Sequence, residues 1–143
     1  MRQLAFPQAI AIRICISYEV APADVEEVLR CDFKDIRIGL AAPRIDAVSS
    51  TDQVNEVCNR FRRVLDDIHA DHAKSIPVHV FYAGPASLGF SLGRQISRTV
   101  HHRVIVHNYT PAIEPKYSWA VDVTSAGPPE AMVTLQQELE VRE

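Results

Sequence analysis

An α/β domain in three layers, with a mainly parallel sheet between helices, is the fold the sequence predicts, and three observations predict it. Short β-branched runs alternate along the chain with segments of helical periodicity. The order strand, helix, strand, helix, strand, helix, strand implies right-handed crossovers that cover both faces of one sheet. The 143 residues, 47% of them hydrophobic, suit one domain over residues 1–143 with a single well-formed core. Together these features describe a Rossmann-like architecture.

The first strand runs from Ala9 to Ser17, where Ile10, Ile12, Ile14 and Ile16 alternate with smaller residues and Arg13 is the one charge. Pro22 then opens a short helix to about Arg30, striped by Val25, Val28 and Leu29 and led by Asp24, Glu26 and Glu27. Asp35 to Ala41 reads as the second strand. The clearest helix follows, with Ser50 and Gln53 as a capping box and Val54, Val57, Cys58, Phe61, Val64, Leu65 and Ile68 at helical spacing over about five turns. Pro77 to Ala83 is the third strand and passes through Gly84 and Pro85 into a helix predicted to reach Arg98. Arg103 to Tyr109 is the fourth strand. Beyond it, four prolines bracket a strand-like segment from Tyr117 to Val123, and the piece from Glu130 reads equally as helix or edge strand.

Charge and cysteine usage narrow the function classes. The net charge is -3, with Lys and Arg scattered, so no basic footprint for duplex nucleic acid exists. Cys15, Cys31 and Cys58 are odd in number, widely spaced and set in apolar patterns, which predicts buried thiols in a reducing, cytoplasmic setting. No apolar run approaches a membrane span, and no signal peptide is legible.

In open parallel sheets, ligands bind beyond the carboxyl ends of the strands, so the loops there carry the candidate site. The first loop holds Ser17, Tyr18 and Glu19; the second, Ala42, Pro43 and Arg44; the third, Ala83, Gly84, Pro85, Ala86, Ser87 and Leu88; the fourth, Asn108, Tyr109 and Thr110. Gly84 permits close backbone approach, Pro85 presets a helical turn, and the first amides of that helix, Ala86 to Leu88, suit a phosphate. The same Gly-Pro pair is also what an ordinary tight turn requires. Tyr18 and Tyr109 are candidates to stack on a base, or are ordinary surface tyrosines. Arg44 and Arg94 are candidate charge donors. Gly89 and Gly93, one turn apart, are expected to let their helix pack closely on the sheet or on a partner helix.

The signatures of a nucleophile elbow, a Walker loop, a dinucleotide fingerprint and a zinc helix are absent from the sequence. His69 and His72 share a helix face with no carboxylate or cysteine to complete a metal set. Cys58 lies on an apolar stripe and reads as packing, and His79 reads as a satisfied core residue. No metal or cofactor is expected.

The stretch VHVFYAGPASLGFSLGRQI, from Val78 to Ile96, resembles the signature of SAVED domains: a strand ending in a small residue, a proline-led helix and a Leu92-Gly93-Arg94 segment. The upstream strand ending at Ile16 and Ser17, the second strand leading to a proline and the long helix with Phe61 and Leu65 agree with it, and the similarity spans about Ile10 to Val123. The resemblance implies a CARF-like sensor that binds a cyclic oligonucleotide second messenger and regulates an effector in CBASS or type III CRISPR anti-phage defence. It implicates Ser17, Ala83, Gly84, Pro85, Ser87 and Tyr109 as ligand contacts. SAVED domains are similar to fused pairs of CARF-type units, so one such unit implies a second unit or a homo-oligomer, and an effector in trans. Two rivals stand beside it: a ring-nuclease-like phosphodiesterase using Glu19, His107 or Tyr109, and a non-catalytic assembly subunit docking through the Gly89 and Gly93 face.

Overall fold

The computed structural model describes residues 6–125, 127 and 133–135. Its elements are β1 (Ala9–Cys15), α1 (Pro22–Leu29), β2 (Phe33–Gly39), α2 (Thr51–Asp71), β3 (Val78–Ala83), α3 (Ala86–Gly93), β4 (Val104–Asn108), β5 (Trp119–Asp122) and β6 (Val133–Leu135). They form one sheet in the order β2-β1-β3-β4-β5-β6. The first four strands are parallel, and β5 and β6 add antiparallel pairs. The fold is the Rossmann-like α/β arrangement expected from the alternating pattern.

Strand parity explains the layers, because successive side chains on a strand point to opposite faces. Ile10, Ile12 and Ile14 of β1 and Val78 and Val80 of β3 meet Cys58, Phe61, Leu65 and Ile68 of α2 and Leu88 and Leu92 of α3 in one core. Ala11, Cys15 and Phe81, on the opposite parity, meet Val25, Val28 and Leu29 of α1 together with Tyr117. All seven residues of β1 are buried, which fits a central strand covered on both sides. Burying a side chain such as Phe61 or Leu65 contributes roughly 1.5–3 kcal/mol.

The ends of α2 are secured by side chains. Ser50 Oγ accepts from Gln53 N while Gln53 Oε1 accepts from Ser50 N, so the capping box predicted from the sequence is formed. At the other end, His102 donates through Nε2 to the carbonyl oxygens of Ala73 and His72, at 2.8 and 3.2 Å. Its neighbour His101 accepts from Ser97 N at Nδ1, which leaves Nε2–H to donate to Asp66 at 2.8 Å. Both imidazoles are buried, a role the sequence did not reveal for residues flanking a strand.

The first, third, fourth and fifth predicted strands are one or two residues shorter at one or both ends in the structure, and two elements differ more. The second strand starts at Phe33 and ends at Gly39, two residues earlier than Asp35 to Ala41, because pairing with β1 begins at Ala9↔Phe33 and Gln8 N already donates to Asp32 O. The helix expected from Pro85 to Arg98 ends at Gly93. After it, Gln95 N and Ile96 N bond back three residues to Leu92 and Gly93, and Ser97 N turns to the His101 ring, so the chain leaves the helix in tight turns. Cys15 and Cys58 are buried free thiols as expected, whereas Cys31 is only half-buried, beyond the αL residue Arg30 that terminates α1.

Candidate functional site

The strand order places a topological switch between β1 and β3, since β2 lies on one side of β1 and β3 and β4 lie on the other. Connections leaving β1 and β3 therefore diverge at the carboxyl rim, and a crevice at that point is where open α/β sheets take ligands. Ile16 N and Ser17 N both donate to Ala83 O, at 3.0 and 2.9 Å, so the loops after β1 and β3 are tied side by side. Ser17 is buried at this junction, while Tyr18, at the apex of its loop, is 61% exposed.

The loop of Tyr18 is held on both sides. Val20 O accepts from Arg13 Nη1 at 2.9 Å, and Val20 N donates to Cys15 Sγ. Glu19 accepts from both Nε and Nη2 of Arg37. The second loop joins the rim through Arg44 N, which donates to Ile16 O, but the Arg44 side chain lies in solvent and pairs with Asp46. Tyr109, beyond β4, is half exposed, its ring 5.3 Å from that of Tyr117.

At the third loop, Gly84 and Pro85 are partly exposed and Ala86 and Ser87 exposed, with Leu88 buried beneath them. Ala86, Ser87 and Leu88 are the first three residues of α3, whose amides have no intrahelical acceptor. Gly84 has a packing reason to be glycine. A Cβ on it would fall 2.6 Å from the Tyr82 hydroxyl, and one on Gly89 would fall 3.0 Å from the Tyr82 ring. Tyr82 thus sits between the two glycines and donates to Pro85 O, and burial raises its pKa to about 12. Gly89 packs on the sheet as expected; Gly93 has no such neighbour among the described residues.

Arg94 does not join the rim. It follows the last turn of α3, at the end of that helix away from Gly84, and lines a different hollow of about 700 Å³. That groove runs along the sheet face beside α3, over Val106, Trp119 and Val121, walled by Phe90 of α3 and by Ile96 in the turns after it. Phe90 is 79% exposed. Helical periodicity did not single out this groove, because it arises from the sheet extending past α3 to β4 and β5.

Two of the three residues considered for base catalysis sit in unsuitable surroundings. Glu19 is bound by Arg37 and lies near Arg13, and the hydrogen bonds from Arg37 hold its carboxyl below the ordinary range. His107 is buried, stacked on Phe81 at 4.4 Å and hydrogen-bonded to His79 Nδ1 at 2.8 Å. Burial lowers its pKa to about 3, and that of His79 to about 4. A general base works best with a pKa near the working pH. No group of three or more metal-ligating side chains occurs among the described residues.

Sheet order, crossover helices and a switch-point rim define the chain first as a Rossmann-like α/β domain. Residues 3–123 match the family model of the SMODS-associated and fused to various effectors sensor domain, SAVED. The chain belongs to the SAVED family and is a sensor domain. No curated protein matches it. No helix among the described residues is long and apolar enough to cross a membrane.

Proposed function

We propose that the chain is a single-domain cytosolic sensor module that binds a cyclic oligonucleotide second messenger at the β1/β3 rim and regulates an effector in anti-phage defence. Membership of a sensor family supplies the functional class. The observation that carries the location is the junction of the two rim loops through Ser17 N and Ala83 O, which sets exposed Tyr18 beside the strand that leads into α3. Amides of Ala86, Ser87 and Leu88 receive a phosphate at the positive end of the helix, and Tyr18 or Tyr109 stacks on a base. Arg44, free to swing from its weak exposed pair with Asp46, adds charge. Binding shifts how the domain packs on a second SAVED-like unit or on another copy of itself, and that shift acts on the effector.

Calorimetry against cyclic di-, tri- and tetranucleotides tests the reading, with heat expected from at least one member. Silence from the whole panel at tens of micromolar protein contradicts it. Chromatography of the same mixtures separates sensing from cleavage, because linear products appear only if the domain is a phosphodiesterase.

A second reading, an assembly subunit, is favoured by one observation: the apolar groove beside α3 with the exposed Phe90 at its wall. Exposed apolar hollows of this kind mark protein contacts. Sedimentation with and without ligand distinguishes docking alone from ligand-controlled docking.

A further inference from the structure

Arg13 of β1 and Arg37 of β2 are register partners on adjacent parallel strands, so two guanidinium groups share one face of the sheet at neighbouring positions. Like charges so placed repel. Two carboxylates keep them together, and they divide the task unequally. Asp35 takes Arg13 through both oxygens, each at 2.8 Å. Glu19 takes Arg37 through both oxygens, at 2.9 and 2.6 Å, and lies 3.3 Å from Arg13 Nη1.

The two arginines also differ in access. Arg13 is buried, with Val20 O as a further acceptor, and its side chain is committed to the fold. Arg37 lies near the carboxyl end of β2 with 30% of its side chain exposed, and its partner Glu19 is 48% exposed. A bond from Nη2 to Leu40 O at 2.6 Å fixes the Arg37 guanidinium at the rim.

We propose that Arg37 is an anion-binding residue masked by Glu19, and that a phosphate of the incoming ligand takes the Arg37 fork while Glu19 falls back on Arg13. A guanidinium fork fits carboxylate and phosphate alike through two parallel bonds, so the exchange replaces one oxyanion with another in the same geometry. Neither side of the exchange is left unpaired, since Arg13 already stands within 3.3 Å of the displaced carboxylate. Because Glu19 adjoins Tyr18, the exchange moves the loop that carries the exposed ring. The inference rests on reading this rim as the ligand-facing edge, and it adds a residue, Arg37, and a resident competitor, Glu19, to that site.

Inorganic phosphate is the probe, followed through the backbone amides of Tyr18, Glu19 and Leu40 in the wild type, Glu19→Gln and Arg37→Gln proteins, and through the Arg37 Nε–H resonance in the two that keep the arginine. Removing the competitor while keeping its shape is expected to tighten phosphate binding by on the order of fivefold. Arg37→Gln is expected to abolish saturable binding, with Glu19→Gln unable to restore it in the double variant. Unchanged or weaker binding in Glu19→Gln overturns the proposal, as does wild-type affinity in Arg37→Gln. If Arg37→Gln does not fold, the Glu19→Gln titration and the wild-type Arg37 resonance decide the matter. Phosphate results stand whether or not any cyclic oligonucleotide binds, so a failure here and a failure of the messenger reading are told apart.

Discussion

A Cβ placed on Gly84 would lie 2.6 Å from the hydroxyl of Tyr82, two residues earlier at the end of β3. The turn into α3 is therefore built around a tyrosine ring, with glycine on either side of it at 84 and 89. Gly93, on the same helix, has nothing within 4 Å of the corresponding point among the described residues.

Alanine substitutions at these glycines are expected to act with opposite sign. Gly84→Ala forces Tyr82 or the turn to shift and costs about 1–3 kcal/mol, as overpacking does elsewhere. Gly93→Ala meets no obstacle and gains helix propensity, stabilising by about 0.5–1 kcal/mol. Urea unfolding of the two variants checks the contrast.

Ser50→Ala removes the hydroxyl that accepts from Gln53 N at the start of α2. A loss of about 1 kcal/mol is expected. Gln53→Ala, which deletes the reciprocal acceptor for Ser50 N, should act in the same direction, and the pair should be non-additive in a double-mutant cycle.

Acid should loosen the His79–His107 pair. The folded-state pKa values, about 4 and about 3, lie below the ordinary 6.5, mainly because burial disfavours the charged rings. The unfolded chain then binds more protons below about pH 6.5, so the pair's contribution is whole above that value. It is lost as pH falls towards the folded-state values, at about 1.4 kcal/mol per unit of depression. Denaturant midpoints from pH 7 to 4 should fall less steeply for His107→Leu than for the wild type.

Phe90→Asp tests the groove. Its side chain is 79% exposed, so monomer stability should change by no more than about 0.5 kcal/mol. Any self-association or effector association that uses the face beside α3 should weaken in sedimentation runs. Unaltered association would remove the groove from the assembly reading.

Local pattern made much of the fold legible, and long-range register accounts for what was missed. Isoleucines at 10, 12 and 14 announced β1 because alternation is a property of neighbours, and Ser50 with Gln53 announced α2 because a capping box spans only four residues. The bounds of β2 depend on its pairing with β1, 24 residues away in sequence at Ala9↔Phe33, and so were misread by two residues. The helix from Gly84-Pro85 was seen, but its early end depends on Ser97 N finding the ring of His101. At the rim, the strand-end rule pointed to Ser17 and Ala83, which the fold joins by a hydrogen bond. Arg37 was passed over because nothing local marks it; only register sets it against Arg13. Arg94 reads from sequence as a charge donor beside Arg44, yet α3 carries it to the groove.

Backbone amide mapping by NMR, during titration with cyclic oligonucleotides, tests the central claim most directly. The account predicts that the tightest member perturbs Ser17, Tyr18, Ala86, Ser87 and Leu88 first and most. Shifts confined to the surroundings of Phe90, Trp119 and Val121, or none with any member, would contradict it.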